Sequence, residues 1–421
     1  MNFALAQTLS AYWRTKTRAA RLRTRAELLN WQSRRLAHFL KAEAPKASAF
    51  AGLSGLPLTE FPRMDKAALM GSFERYNVPG ISAAEAWQSH DTTGRIGRLS
   101  VGASTGTSGN RGLYLVSDSE RYLWLGTLLA KALPDMLRQR YRVAVMLPRG
   151  SRLYDAANES GRLALKVFDL TDGLDSQLSS VADFRPNVLV APPHALVALA
   201  EADLGLTPLE VFSGAEVLDP GDRRLIEARF GVTVREIYMA TEGLFGVACA
   251  QGTLHLCEDC VAFEWEPEGE LAAPVITDFT RRTQMMVRYR MNDLLRLSER
   301  PCPCGSPLQA VSEIAGRADD SFEFRSPDGA RVRVTPDIIR DAIVGASPAI
   351  LDFRAAQTSR NAVTLTMPGE SAEHLPKAAS ALASLFARLG VKPDITCVAA
   401  PLPLPSGTKL RRVVRERTVA E

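Results

Sequence analysis

The sequence predicts an α/β protein. A large N-terminal domain of parallel and mixed sheets, layered with helices and carrying a β subdomain, precedes a small C-terminal α+β domain. Three observations predict this. The middle of the chain alternates short apolar runs with helix-length segments, the pattern of a parallel sheet with crossover helices. After Gly252 the apolar runs follow one another as consecutive strands. The C-terminal stretch then reads β, β, α, β, β, α, β. At 421 residues the chain is too long for one small core, and the boundary falls at "IAGRADD", giving 1–316 and 317–421.

Taken in order, the segment from about Ser10 to Glu43 places Leu28, Leu29, Leu36, Phe39 and Leu40 at helical spacing and predicts one long helix. Pro45 to Pro79 is broken by Pro and Gly and predicts short helical pieces. Buried strands are predicted at Tyr141–Pro148, Lys166–Leu170, Asn187–Pro193 and Glu210–Glu216. Helices are predicted at Asp118–Arg138, Ser151–Leu163, Pro193–Ala202 and Asp219–Phe230. Ligands of such sheets gather beyond the carboxyl ends of the strands, where Gly, Ser and Pro turns fall here. "LHLCEDCVAFEWEP" and "GELAAPVITDF" predict paired strands, and "MMVRYRMNDLLRLSE" predicts another. In the last part, strands are expected at Ser321–Phe324 and Arg331–Val334, then a helix from Pro336. Strands "ILDFRAAQ" and "AVTLTMP", a helix Ser371–Leu389 and a strand "DITCVAAP" follow.

Composition excludes several classes. A net charge of +4 gives no general attraction for nucleic acid, so none is expected as a partner. Arg14, Lys16, Arg18, Arg21, Arg23 and Arg25 cluster early and read as a solvated helix face, with a membrane surface or an acidic partner as the alternative. The start "MNFALAQTLSAYW" lacks the basic and apolar regions of a secretory signal. No stretch reaches the ~18 apolar residues of a membrane span. The chain is therefore expected to be cytoplasmic and not transmembrane, as a monomer or homodimer. In that reducing compartment its six cysteines are expected to be thiols or metal ligands.

Five separated patterns carry chemistry. "STGTSGNRG" brings Ser104, Thr105, Gly106, Thr107, Ser108, Gly109 and Arg111 onto one loop before an apolar run. Small residues allow close backbone approach to phosphate oxygens and the hydroxyls add donors, although the Walker pattern GxxxxGK[ST] is not matched. "YMATEG" sets a ring, a hydroxyl and a carboxylate, Tyr238, Thr241 and Glu242, at one strand end. Such a set can stack a base, bind a phosphate and hold Mg²⁺. "VRYRMNDLLRL" places Asp293 in an apolar and basic strand, where a ribose diol would satisfy it. "GRADD" and "LPSGTKLRRV" complete the five. Each alone reads equally as a turn or a solvated charge.

Together, in this order, they resemble the adenylate-forming enzymes of the acyl-CoA synthetase superfamily. The likeness is to the phenylacetate–CoA ligase branch and its deazaflavin-coenzyme adenylyltransferase relatives, over roughly residues 25 to 415. "SGAE", with Ala215 and Glu216, matches the adenine-side turn, and "YRMNDL" the ribose motif. The resemblance implies that Thr105, Thr107 and Ser108 hold the phosphates of ATP, that Ala215, Glu216 and Tyr238 line adenine, and that Thr241 touches the α-phosphate. It further implies that Glu242 ligates Mg²⁺, that Asp293 takes the ribose with Arg317, that Asp319 is the hinge and that Lys409 acts in adenylation. Two departures stand out: Arg111-Gly112 replaces the family's Pro-Lys, and Thr408 intervenes between Gly407 and Lys409. The activity implied is ATP-dependent adenylation of a small carboxylic acid, aromatic on the branch resemblance, followed by transfer to a thiol. That thiol is coenzyme A or the phosphopantetheine of an acyl or aryl carrier protein. AMP transfer to a coenzyme hydroxyl, and nucleotide binding without catalysis, are the rival readings. His194, opening a helix after a strand, is a candidate substrate contact.

Cysteines give a separate test. Cys302 and Cys304 form a CxC knuckle, and Cys249 and His255 flank the turn "AQGT" upstream. Four N/S ligands in two close pairs suit a structural Zn²⁺. The phenylacetate–CoA ligase branch carries matching residues. Cys257 and Cys260 form a further CxxC that could replace His255 as ligands, and buried thiols without metal are the alternative reading.

Overall fold

The computed structural model describes residues 3–104, 111–147, 162–347, 349–402 and 410–416. A 12-stranded mixed sheet is its backbone. The parallel half runs in space Leu163–Asp169, Tyr141–Leu147, Val188–Ala191, Glu210–Gly214, Val234–Ala240. Strands buried on both faces read as continuous apolar runs, and Tyr141–Leu147 is buried at five of its seven positions. The sheet continues antiparallel through Gly243–Ala248, Leu254–Leu256, Ala310–Arg317, Asp293–Leu297, Leu271–Asp278 and Val261–Glu268. A separate three-stranded antiparallel sheet, Arg95–Ile96, Leu99–Ala103 and Leu113–Ser117, has the Ser/Thr/Gly loop as the connection between its last two strands.

Helices Pro193–Glu201 and Pro220–Phe230 pack against one face of the parallel strands, with Leu196, Leu199 and Ile226 fully or nearly fully buried. On the other, Asp118–Ala132 lies under the N-terminal helix Phe3–Arg21. There a side chain at Gly126 would collide with the Thr8 carbonyl, so only glycine permits the contact. A distinct core, built from residues between Phe322 and Val413, holds the hairpin Phe322–Arg325/Arg331–Val334. It also holds the helices Pro336–Val344 and Leu375–Arg388 and a four-stranded sheet.

Several expectations are corrected. The single early helix is two, Phe3–Arg21 and Arg25–Ala42. Thr24 starts the second with a capping box, its side chain accepting from Glu27 N–H while Glu27 reaches back to the Thr24 N–H. The helix predicted to reach Arg138 stops at Ala132, because Pro134 follows. Leu163 begins a strand, and the rest of the helix predicted at 151–163 lies, apart from Arg162, outside the described residues. "LHLCEDCVAFEWEP" is two strands parted by a turn at Cys257–Cys260, and "MMVRYRMNDLLRLSE" divides into Tyr289–Arg290 and Asp293–Leu297. The helix Leu174–Phe184 and the strand Val413–Arg415 are additional elements.

Candidate active site

Three neighbouring parallel strands end together and hand over to the residues that matter. Val188–Ala191 leads to His194, Glu210–Gly214 to Ala215 and Glu216, and Val234–Ala240 to Thr241 and Glu242. Ala215 has φ 69°, a left-handed conformation that costs a residue with a side chain and marks a turn held in place by its surroundings. These strand ends border a solvent-open cleft. Ile237, Met239 and Ile314 give it apolar wall, and Tyr238, Asp293 and Arg317 give it polar groups. Leu410, Arg411 and Arg412 close one side from the C-terminal unit.

Asp293 and Arg317 sit directly opposite on adjacent antiparallel strands. Tyr238 donates its hydroxyl to Asp293 Oδ2 at 2.8 Å. Burial, reinforced by the Asp293 and Glu242 carboxylates, holds the Tyr238 phenol well above its usual range, so the proton stays on tyrosine and the carboxylate remains the acceptor. Tyr238 thus serves two surfaces: its ring borders the cleft while its hydroxyl orients Asp293.

Glu242 is held similarly. Thr241 Oγ1 donates to Glu242 Oε2 at 2.8 Å, and Tyr289, from the short strand Tyr289–Arg290, donates to Oε1 at 3.0 Å. Behind them Arg281, fully buried, donates to the Thr241 and Glu242 carbonyls and lies 4.8 Å over the Trp124 ring. The Arg281 loop is itself anchored by Glu120, which accepts from the backbone N–H groups of Arg282 at 2.7 Å and Thr283 at 3.1 Å. In the sequence Tyr289 lies within the motif "YRMNDL" without an assigned role, and Arg281 and Glu120 are not singled out. The one available signal for Arg281 was a charged run, "TDFTRRT", between two apolar strands.

Of the predicted phosphate loop, Thr105, Gly106, Thr107, Ser108 and Gly109 lie outside the described residues. Its two ends are tied together: Ser104 N–H donates to the Gly112 carbonyl and Gly112 N–H to Ser104 Oγ, each at 2.8 Å. Arg111 lies 5.0 Å over the Trp87 ring, 3.0 Å from His90 Nε2, and donates to the Ser104 carbonyl. Its guanidinium therefore braces the base of the loop.

His194 faces Glu216. Its Nδ1 lies 2.8 Å from Glu216 Oε2, and both side chains are almost wholly buried. The other oxygen, Glu216 Oε1, accepts the Leu410 N–H at 2.8 Å. Asp319 is exposed and accepts from Asn292 Nδ2 at 2.7 Å, next to Arg317 at the chain's passage into the C-terminal core. Lys409 lies outside the described residues.

Cys249, His255, Cys302 and Cys304 converge, with their four ligand atoms within 4.8 Å of one another. Cys249 Sγ is 3.8 Å from Cys302 Sγ, and Cys304 Sγ is 3.3 Å from His255 Nε2. A tetrahedral zinc would set these edges at about 3.8 Å and about 3.6 Å. His255 Nδ1 faces the Leu308 carbonyl at 3.2 Å, which assigns the proton there and leaves Nε2 as the donor atom. Burial raises the Cys302 thiol, but hydrogen bonds from Thr253 and the Cys304 backbone outweigh it and hold the group down to about 6. Cys257 and Cys260, the alternative pair, stand apart. Cys257 packs in the core, and Cys260 Sγ accepts from Arg18 at 3.2 Å beside a buried Arg18–Asp259–Lys131 ion cluster.

No family model matches the chain. It is 28% identical over 206 residues, 44% of its length, to phenylacetate–coenzyme A ligase of Pseudomonas putida, covering 45% of that protein. It is 26% identical over 298 residues to the corresponding ligase of Thermus thermophilus, covering 66% of this chain and 64% of that one. The alignments thus span less than two thirds of these relatives. Among solved structures, 2-hydroxyisobutyryl-CoA ligase in the postadenylation state with 2-HIB-AMP superposes with a TM-score of 0.64 at 19% identity, covering 93% of this chain and 90% of that one. The chain has the fold of the adenylate-forming ligases and, within them, is phenylacetate–CoA ligase-like in sequence.

Proposed function

We propose that the protein activates a small carboxylic acid, aromatic on the likeness to phenylacetate–CoA ligases, as its acyl-adenylate and passes the acyl group to a thiol, coenzyme A or a carrier-protein phosphopantetheine. The observation that carries this reading is the convergence of Ala215, Glu216, Tyr238, Asp293 and Arg317 on one cleft, with Thr241 and Glu242 at the end of the same strand. An apolar wall suits adenine, and the Asp293 carboxylate, kept an acceptor by a neutral tyrosine, suits the ribose hydroxyls. Residues 1–316 would bind ATP and the acid, and 317–421 would form the lid that brings Lys409.

Attack of a carboxylate oxygen on the α-phosphorus releases pyrophosphate and builds negative charge at a centre already anionic. Mg²⁺, when bound, would neutralise part of that charge, and Glu242 with its two fixed hydrogen bonds is the residue to hold it. Thr241 would orient the α-phosphate, and Lys409 would meet the transferring group. A mobile lid is useful because an acyl-adenylate hydrolyses readily and gains from exclusion of water. Zinc at Cys249, His255, Cys302 and Cys304 would be structural: with four protein ligands it keeps no open position. It would clip the turn after Gly243–Ala248 to the knuckle beyond Asp293–Leu297.

Pyrophosphate exchange into ATP, screened over aryl and aliphatic acids, tests the proposal. Stimulation by at least one acid is expected, lost in Glu242→Gln. Lys409→Ala should slow adenylation while sparing thiol transfer from supplied acyl-adenylate. No exchange with any acid, or a stable adenylylated coenzyme formed without thiol dependence, would refute it.

A further inference from the structure

The stretch Leu410–Arg412 is seated on the turn that ends the Glu210–Gly214 strand through hydrogen bonds and ion pairs. Glu216 Oε1 accepts the Leu410 N–H at 2.8 Å, while its other oxygen is fixed by His194. Arg412 reaches Asp222 through two nitrogens, at 2.9 and 3.3 Å, and also pairs with Asp219. Asp219 and Asp222 belong to the start of helix Pro220–Phe230 and therefore to the large unit. The same guanidinium donates Nε to Asp352 at 3.1 Å, within the C-terminal core. Arg412 is thus a bridge with one hand in each unit. A second bridge is built in parallel: Arg340, from helix Pro336–Val344, lies 3.4 Å from Asp219 and pairs with Glu313.

We infer that Glu216, Asp219 and Asp222 form a docking cradle for Leu410–Arg412. They act as positioning residues that set the C-terminal unit over the nucleotide cleft for the adenylation half-reaction. The inference rests on the proposed function above, since Lys409 immediately precedes Leu410 in sequence. Its chemistry is that of a releasable contact. Arg412 is almost buried, with 12% of its side chain exposed, and its partners Asp219, Asp222 and Asp352 set three carboxylates against two guanidiniums, its own and that of Arg340. Burial raises the Asp222 carboxyl against the pull of Arg412, and the neighbouring Asp219 and Asp352 carboxylates add to the rise. A hydrophobic seam would hold more firmly. A charged one is rehydrated on opening, which lowers the cost of leaving.

The test uses the full-length protein and three variants, Arg412→Ala, Arg412→Lys and Asp222→Asn, with amide hydrogen exchange of residues 410–415 as the activity-independent readout. Exchange there should quicken in Arg412→Ala and Asp222→Asn, with rates elsewhere in the large unit unchanged as proof of folding. The adenylation kcat should fall at least tenfold in both, with the KM for ATP within threefold of wild type. Transfer of the acyl group from supplied acyl-adenylate to thiol should fall by a smaller factor, and Arg412→Lys should recover part of the loss. Equal losses in both half-reactions, or unchanged amide exchange in Arg412→Ala, would overturn the cradle. If the wild type shows no acid-stimulated pyrophosphate exchange, the proposed function fails, and the amide-exchange result still decides whether the cradle holds the segment.

Discussion

Glu120 offers the sharpest check on how the site is supported. Its carboxylate accepts five hydrogen bonds. Oε1 takes the N–H groups of Arg282 at 2.7 Å and Thr283 at 3.1 Å, and Oε2 takes the Ser117 N–H at 2.9 Å, the Ser117 hydroxyl at 2.5 Å and the Thr283 hydroxyl. In Glu120→Gln the amide oxygen can serve only one of these sets. Facing Arg282 and Thr283 with the oxygen turns the NH₂ toward Ser117. The two hydroxyls there can rotate to accept, but the Ser117 N–H is left against another donor. One orphaned buried N–H costs about 1–3 kcal/mol, and the two retained bonds lose charge assistance worth about 0.5–1 kcal/mol each. The reverse orientation orphans two N–H groups. Relief of carboxylate desolvation offsets part of this, leaving a net loss of about 2–4 kcal/mol at pH 7. Burial raises the Glu120 carboxyl, but hydrogen bonds from Ser117 and Thr283 and the charge of Arg281 outweigh it and hold the group below the usual range. A depressed carboxyl stabilises fully above its unfolded pKa, about 4.3, and the gain fades as pH falls through the depressed folded value. The gap between wild type and Glu120→Gln should therefore be constant from pH 7 to about 5 and narrow in more acid solution. Urea unfolding followed by circular dichroism at a series of pH values measures it. A difference under about 0.5 kcal/mol at pH 7, or a gap that widens in acid, would refute the reasoning.

Tyr289→Phe removes one hydrogen bond to Glu242 without changing volume, and a bond to a charged acceptor is worth about 1.5 kcal/mol, so pyrophosphate exchange should slow about tenfold. An unchanged rate at saturating Mg²⁺ would show that the phenol does not orient Glu242. Elemental analysis of purified protein should find about one zinc per chain, and Cys302→Ser should drop it below half and lower the urea midpoint. Full zinc retention in Cys302→Ser would remove that residue from the ligand set.

What was legible in the sequence is what residue type alone encodes. Four cysteine and histidine side chains in two close pairs have few other uses, and the fold brings that quartet within 4.8 Å. The apolar runs of the parallel sheet announced themselves because both faces are buried. The illegible part depends on who faces whom. Tyr289 meets Glu242 across 47 residues, and Glu120 meets Thr283 across 163, separations at which no local pattern survives. The Leu174–Phe184 helix has Leu174, Leu178 and Val181 at helical spacing, but its Asp and Ser content resembles a loop, and burial of Val181 decides the matter. The break at Thr24 was readable in retrospect: Thr24 and Glu27 are a capping box, and the apolar spacing beyond them masked it.

The choice of tyrosine to support both site carboxylates follows from what those carboxylates must still do. Asp293 lines the cleft and Glu242 follows the end of the Tyr238 strand, and a carboxylate there without a fixed partner would be free to take a wrong rotamer. An arginine at hydrogen-bond distance would fix the rotamer but also neutralise the charge, and would compete with any cation or ribose hydroxyl arriving later. A phenol fixes the rotamer with one neutral donor and leaves the negative charge and the remaining lone pairs available. Burial keeps both phenols protonated, Tyr238 and Tyr289 alike, so the donors persist across the physiological pH range. Arg281, fully buried behind them, is directed at the Thr241 and Glu242 carbonyls and not at the Glu242 carboxylate. Backbone is thus braced by charge and side chain by neutral groups, an allocation that keeps Glu242 and Asp293 chemically available at a fixed position.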